Sequence, residues 1–419
     1  MKPTPATPPQ KSSPLMPVAD ALAHVLADAA VLGPESVGLL QAAGRTLAGP
    51  VIAALTQPPF DASSMDGYAV RAQDIAKVPA TLARIGEAAA GTAFAGHLDA
   101  RQAVRIFTGA PIPDGADAVV MQEDTKAEGK TVTVLEAAAI GANIRPRGQD
   151  FHDGDEVLPD GRRLNARDIT LAASSGHALL AVRRKPVVAI LATGDELVEP
   201  SDRPMAGQIV ASNSYGLAAL VEAAGGEARL LGIARDTHES LAQKIAEATG
   251  QSGGADILVT TGGASVGDHD LVRPALEAAG ARLDFYKIAM RPGKPMFFGR
   301  LGGRLGNMRV LGLPGNPLSA LIGARVFLVP LIARMLGRSH ETPMIRALLA
   351  VPLGSNGPRD HYMRATLDTS TIPPRVTALP NQDSALTTAL AAADCLIVNP
   401  ANAPALAAGA EVKVMLLDF

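Results

Sequence analysis

The chain has 419 residues, a formal net charge of -3, 47% hydrophobic and 19% charged residues, and one cysteine, Cys395. A length beyond the roughly 250–300 residues that one core usually supports requires several domains, and the near-neutral charge argues against a nucleic-acid footprint or a polybasic membrane anchor. A single cysteine excludes an intrachain disulfide and any zinc site of several thiolates, and it fits a reducing compartment such as the cytoplasm.

Residues 1–14 are rich in Pro, Thr, Ser and Lys, lack the apolar core of a secretory signal, and read as a disordered tail. No run approaches the roughly 18–20 consecutive apolar residues of a membrane span, because Gly, Pro or a charge interrupts each one. Over 18–30, Val18, Leu22, Val25 and Leu26 recur at helical spacing and predict an amphipathic helix packed on something later in the chain. A second short helix is expected over 37–47. From 51 to 134 the texture turns to short β-rich segments such as 103–107 and 118–121, punctuated by Gly and Pro. A helix over 165–174 precedes the basic run Arg183-Arg184-Lys185, read as a domain junction.

Beyond that junction, strands 187–191, 228–233 and 257–260 alternate with helices 215–224 and 239–248, the pattern of βαβ units and a parallel sheet. In the first of these helices Ser212 or Asn213 serves as N-cap, and Leu217, Leu220, Val221 and Ala224 form one apolar stripe. A further helix over 318–336 closes the domain. From Ile345 onward, alternating segments such as 411–415 predict a small β-barrel or sandwich. Cys395, inside Cys395-Leu396-Ile397-Val398, reads as a buried small hydrophobe and not a reactive thiol.

Three glycine-bearing turns each follow a predicted strand: Thr193-Gly194-Asp195-Glu196, then Gly262-Gly263-Ala264-Ser265-Val266-Gly267-Asp268, then Pro314-Gly315-Asn316-Pro317. In a parallel sheet such turns gather at the carboxyl edge, where backbone N–H groups near helix N-termini cradle an anion such as phosphate. Gly129-Lys130-Thr131 lacks the second glycine of a P-loop, since Asp124 stands there, and reads as a surface turn. Asp195, Glu196, Asp236, Asp268 and Asp270 all lie just past predicted strands. They suit either a Mg2+ held partly by substrate oxygens or, for Asp236 and Asp270, helix N-capping. Lys287, Arg291 and Lys294 sit in a loop stiffened by Pro292, Gly293 and Pro295, which suits an oxyanion.

Residues 58–69, Pro58-Pro59-Phe60-Asp61-Ala62-Ser63-Ser64-Met65-Asp66-Gly67-Tyr68-Ala69, closely resemble the signature of the molybdopterin molybdenumtransferase family, which includes bacterial MoeA and the E domain of gephyrin. Phe107-Thr108-Gly109-Ala110-Pro111, 147–150, 193–197, 262–270, 291–295 and 313–319 follow in the family's order, so the resemblance spans nearly the whole chain. It implies a multidomain α/β protein. The expected parts are a discontinuous first domain of 15–46 with 145–182, a β-rich domain of 47–144, an α/β (MogA-like), molybdopterin-binding domain of 183–336 with a mostly parallel sheet, and a β-barrel-like domain of 337–419.

The resemblance also implies an activity and a site. The family takes adenylylated molybdopterin and molybdate as substrates, cleaves the pyrophosphate with Mg2+ or another divalent ion, releases AMP and leaves molybdenum on the dithiolene. Asp61, Thr108, Glu196, Asp236, Asp270, Lys287 and Lys294 carry over as catalytic, with Asp61, Asp195, Glu196 and Asp270 as metal ligands. Pterin and phosphates fall to Thr193, Gly194, Asp195, Asn213, Ser214, Gly262, Gly263, Ser265, Gly267, Arg291, Pro314, Gly315, Asn316, Pro317 and Ser319. The implied assembly is a cytoplasmic homodimer with its cleft between the α/β domain of one subunit and the β-rich domain of the other. Contacts with molybdopterin adenylyltransferase and recipient molybdoenzymes are implied as well, and neither nucleic acid nor membrane is expected. Gln149 departs from the family's usual Glu, and Asn381-Gln382-Asp383-Ser384 matches a family stretch only loosely, so no site is assigned there. Two other readings are a molybdopterin adenylyltransferase, which needs no 58–69 segment or C-terminal domain, and a catalytically silent scaffold.

Overall fold

A computed structural model describes residues 15–250, 254–263, 271–303 and 306–417, in two compact units. The 1–14 tail expectation, and with it Ser265, Gly267, Asp268 and Asp270, lies outside the described residues.

The first unit is Glu35–Val182. Its six-stranded sheet runs in the order Ala118–Met121, Gly67–Val70, Gln102–Ile106, Ala80–Ala88, Thr131–Val134, Thr125–Glu128. Alternation sends Tyr68, Val70, Ala103 and Val120 to one core and Ala69, Val104, Ile106 and Val119 to another, so both faces are covered. A separate cluster joins Leu47 and Val51 to Leu158, Leu164, Ala172, Leu180 and Val182. The Ala166–Ser174 helix in it starts on a capping box. Asn165 accepts from the Asp168 N–H, and the Asp168 carboxylate accepts from the Asn165 N–H and from Arg162. Burial pushes the Asp168 carboxyl up, but these hydrogen bonds outweigh it and hold the group below its ordinary range.

The helix expected over 37–47 shrinks to one turn, Leu39–Ala42. Pro34–Gly38 instead forms a strand paired with Leu179–Arg183, and Thr46 and Leu47 bridge to Arg163 and Val182. Long-range pairing therefore claims the backbone groups a longer helix would use.

The second unit contains residues 15–34 and 183–417. Four strands, Glu227–Ala234, Val187–Thr193, Ile257–Thr261 and Gly306–Leu313, are parallel neighbours in that order, and Pro295–Gly303 and Arg282–Lys287 extend the sheet antiparallel to their neighbours. Val188 and Ile190 face helices Asn213–Ala224 and Pro317–Met335, while Ala189 and Leu191 face His238–Thr249 and Val272–Ala278. The Asn213–Ala224 helix buries Leu217, Leu220, Val221 and Ala224, the stripe expected from its sequence.

The helix Val18–Leu26 buries Val18, Ala21 and Val25 in the α/β core with Phe327 and Leu331, the packing on a later part of the chain that its spacing predicted. The continuous 19-residue helix Pro317–Met335 is long and apolar enough on average to cross a membrane, although Gly323, Arg325, Pro330 and Arg334 interrupt its apolar run as the sequence indicated. It is a core helix, with 83% of its apolar window buried.

In the C-terminal part, Asp360–Asp368 pairs with both Arg375–Ala378 and Cys395–Asn399. Met344–Leu349 and Glu411–Leu416 complete a closed five-stranded barrel around Ala347, Leu349, Ala365, Val376, Ile397 and Val414. Cys395 is fully buried in this core, and burial pushes its thiol up to about 12, which makes it unreactive at neutral pH.

Opposite the carboxyl edge, buried Asp256 accepts from both Nη atoms of Arg184 at 2.7 and 2.8 Å and from the Val187 N–H at 2.8 Å. Asp256→Ala strands these donors and is expected to lower unfolding free energy by about 2–3 kcal/mol, less than a fully buried pair because Arg184 is part-exposed. Urea unfolding followed by far-UV circular dichroism measures it, and a change under about 1 kcal/mol would contradict the assignment.

Candidate functional site

The three turns emerge from adjacent parallel strands, which brings them to one edge. Thr193 and Gly262 lie close, because the Thr193 hydroxyl donates to the Thr261 carbonyl at 3.3 Å and the Gly262 N–H donates to the Leu313 carbonyl at 3.3 Å. Asn213 Nδ2 donates to the Gly315 carbonyl at 2.7 Å and ties the first helix of this edge to the third turn. Together they wall a cavity of about 610 Å³ lined by Thr193, Glu196, Asn213, Ser214, Gly262, Gly263 and Pro314 to Pro317. Two helices start at this wall, Asn213–Ala224 and the Pro317–Met335 helix, so their unpaired N–H groups add positive potential there.

Acidic side chains flank the cavity. Glu196 lines it, and Asp195 lies exposed beside it with Oδ1 accepting from the Asp236 N–H at 3.1 Å. Asp236 does not cap the next helix. Thr237 does, accepting from the Ser240 N–H. Among the described residues no group of three or more His, Cys, Asp or Glu side chains is drawn together. The oxygen chemistry of Asp195 and Glu196 still suits a hard divalent cation, which keeps water and substrate oxygens in its shell.

The cationic loop adjoins the cavity through Pro295, whereas Lys287, Arg291 and Lys294 do not line it. The loop backbone is fixed from two sides. Met16 donates to the Lys287 carbonyl and accepts from the Ala289 N–H, and Met290–Arg291 pairs with Asp360 and His361 of the barrel. Ser319 is buried in its helix and is not among the residues lining the cavity.

Sequence reasoning missed two parts of this wall. Leu197 and the Ile209–Val210 strand cover one side, and Ala385 and Thr387 enter from the barrel. The 381–387 stretch is seated by Asn316 Nδ2 donating to Ser384 Oγ at 2.9 Å and by the Leu318 N–H donating to the Ser384 carbonyl. Arg364, fully buried, donates to the carbonyls of Asn381, Asp383 and Leu386. The loose family match at 381–384 was the one available signal.

In the Glu35–Val182 unit, a second hollow of about 520 Å³ is lined by residues including Pro58, Phe60, Ala62, Gly109, Arg145 and Asp150, and Asp61 is exposed next to Phe60 and Ala62 without lining it. Asp61 Oδ1 accepts from the Arg147 N–H at 2.7 Å, and Arg147 Nε donates to the Pro59 carbonyl. The Ser63 N–H donates to the Ala110 carbonyl and the Gly109 N–H to the Ser63 carbonyl, so 61–63 and 107–112 hold each other. Thr108 donates from both N–H and hydroxyl to Asp66 Oδ1, and these bonds, the backbone one first, hold the Asp66 carboxyl below its ordinary range. Gly67 follows because a Cβ there would lie 1.8 Å from the Val120 carbonyl oxygen.

Comparison with known proteins covers nearly the whole chain. Family models match residues 16–176 as "MoeA N-terminal region (domain I and II)", 189–334 as "Probable molybdopterin binding domain" and 346–417 as "MoeA C-terminal region (domain IV)". The chain is 39% identical over 339 residues to the molybdopterin molybdenumtransferase of Nostoc sp., covering 80% of this chain and 77% of that one. It is 31% identical over 417 residues to that of Staphylococcus aureus, covering 98% and 97%. A solved molybdopterin biosynthesis MoeA protein from Pyrococcus horikosii superposes with a TM-score of 0.82 at 31% identity, over 97% of this chain and all of that one.

Proposed function

Because the chain belongs to the molybdopterin molybdenumtransferase family, we propose that it acts in the cytoplasm as the enzyme that inserts molybdate into adenylylated molybdopterin, with pyrophosphate cleavage and AMP release. The convergence of three strand-end turns and two helix N-termini on one cavity supports this reading most. Such an edge gives backbone N–H donors to a phosphate, and a cavity of this size accommodates a pterin.

Thr193, Gly262, Gly263 and 314–317 bind pterin and phosphates, with Asn213 and Ser214 beside them. Asp195 and Glu196 hold a divalent cation, which when bound offsets charge on phosphoryl oxygens. Lys287, Arg291 and Lys294 give an anion such as molybdate a positive landing place. Asp61 and Thr108 complete the site from the partner subunit of a homodimer. The test supplies adenylylated molybdopterin, Mg2+ and molybdate, then measures AMP release and reconstitution of an apo-molybdoenzyme. Release that depends on molybdate and Mg2+ is the expected result; no release would favour a scaffold.

A further inference from the structure

A threonine hydroxyl carries one proton and two lone pairs, so the direction of its proton decides what it offers a ligand. Thr108 is exposed, yet its proton points inward: Oγ1 donates to Asp66 Oδ1 at 2.8 Å, and the Thr108 N–H donates to the same oxygen at 2.8 Å. Asp66 is anchored in turn. Its carbonyl accepts from the Gln122 N–H at 3.0 Å, and the next residue is held by Arg105 Nη1 donating to the Gly67 carbonyl at 3.1 Å. Arg105 itself is fixed over the rings of Tyr68 and Phe107, with centroids 5.2 and 4.8 Å away, and by Gln122 Oε1 at 2.6 Å. Asp66 thus sits on a braced strand start; among the described residues its carboxylate accepts hydrogen bonds from Thr108, and the Arg105 charge close by adds to keeping it ionised.

We infer that Asp66 is a positioning residue that turns Thr108 Oγ1 outward as a hydrogen-bond acceptor, so that Thr108 meets a cation or a protonated donor and not a phosphate or molybdate oxygen. This rests on the proposed place of Thr108 in the reaction site. With the proton spent on Asp66, only lone pairs face the approaching group. An anion there would meet those lone pairs with an ionised carboxylate directly behind them, whereas a cation would be drawn by both. A freely rotating hydroxyl would carry no such preference.

The experiment compares wild type with Thr108→Val, Asp66→Ala, Asp66→Asn and the Thr108→Val/Asp66→Ala double variant. It reads AMP release against Mg2+ concentration and, separately, calorimetric binding of molybdate alone. Thr108→Val and Asp66→Ala should each lower kcat by roughly tenfold or more, and the double variant should be no worse than Thr108→Val, because both act through one oxygen. Half-saturating Mg2+ should rise in Thr108→Val, while molybdate binding stays within about twofold of wild type. Asp66→Asn keeps an acceptor oxygen and should recover most of what Asp66→Ala loses; far-UV circular dichroism checks that each variant folds. Wild-type turnover in Thr108→Val would remove Thr108 from the site and so defeat the functional assignment. An impaired Thr108→Val beside an unimpaired Asp66→Ala would overturn the positioning role alone. Weakened molybdate binding in Thr108→Val would show a hydroxyl that donates to oxyanions and would overturn the acceptor assignment.

Discussion

Asp61→Asn is expected to lower turnover of adenylylated molybdopterin by about 10²–10³-fold, the usual cost of removing one electrostatic group from a phosphoryl or metal site. The substitution isolates charge from structure. Asp61 Oδ1 accepts from the Arg147 N–H, and an asparagine oxygen can accept the same bond, so the brace between 59–61 and Arg147 survives. Asp61 is exposed, so no core contact is lost. What disappears is an exposed negative charge between Phe60 and Ala62, two residues that line the hollow. Steady-state AMP release gives the rate, and sedimentation with circular dichroism checks assembly and fold. Full turnover in this variant would take Asp61 out of the mechanism.

Gly262→Ala should be nearly as damaging, for a steric reason. Gly262 has φ +89, and a Cβ there would lie 2.5 Å from the Thr193 carbonyl oxygen, an atom of the neighbouring strand that cannot swing aside. An L-residue in this conformation costs about 1 kcal/mol on its own, and the backbone clash adds to it. The two turns must part, and both line the cavity. We expect affinity for the pterin substrate to fall by roughly 10–10²-fold, with unfolding free energy lowered by about 1–3 kcal/mol. Binding titration and urea unfolding test the two halves separately. Unchanged affinity would mean that the second turn does not hold the substrate.

These two positions illustrate different degrees of legibility. The glycine turn was readable because parallel strands all present their carboxyl ends at one edge of the sheet, so chain order predicted a spatial cluster. The helix Ala166–Ser174 was readable for a local reason, since Asn165 and Asp168 satisfy its first N–H groups within four residues. Thr108 was recognisable from its motif, but the direction of its proton was not, because Asp66 lies 42 residues away. The one-turn Leu39–Ala42 helix failed as a longer prediction because partners near 163 and 182 took its flanking backbone.

What the amino-acid order determined alone is what short-range physics controls: amphipathic stripes, caps, turns after strands, and a cysteine buried in an apolar run. The tertiary structure alone decided which distant groups share an environment. It placed Val18–Leu26 on the α/β core, closed the barrel through Asp360–Asp368, buried Arg364 among three carbonyls, and brought Ala385 and Thr387 to the cavity wall. A charged arginine reads as surface in any local window; only the loop that folds over it supplies the oxygens that make its burial affordable.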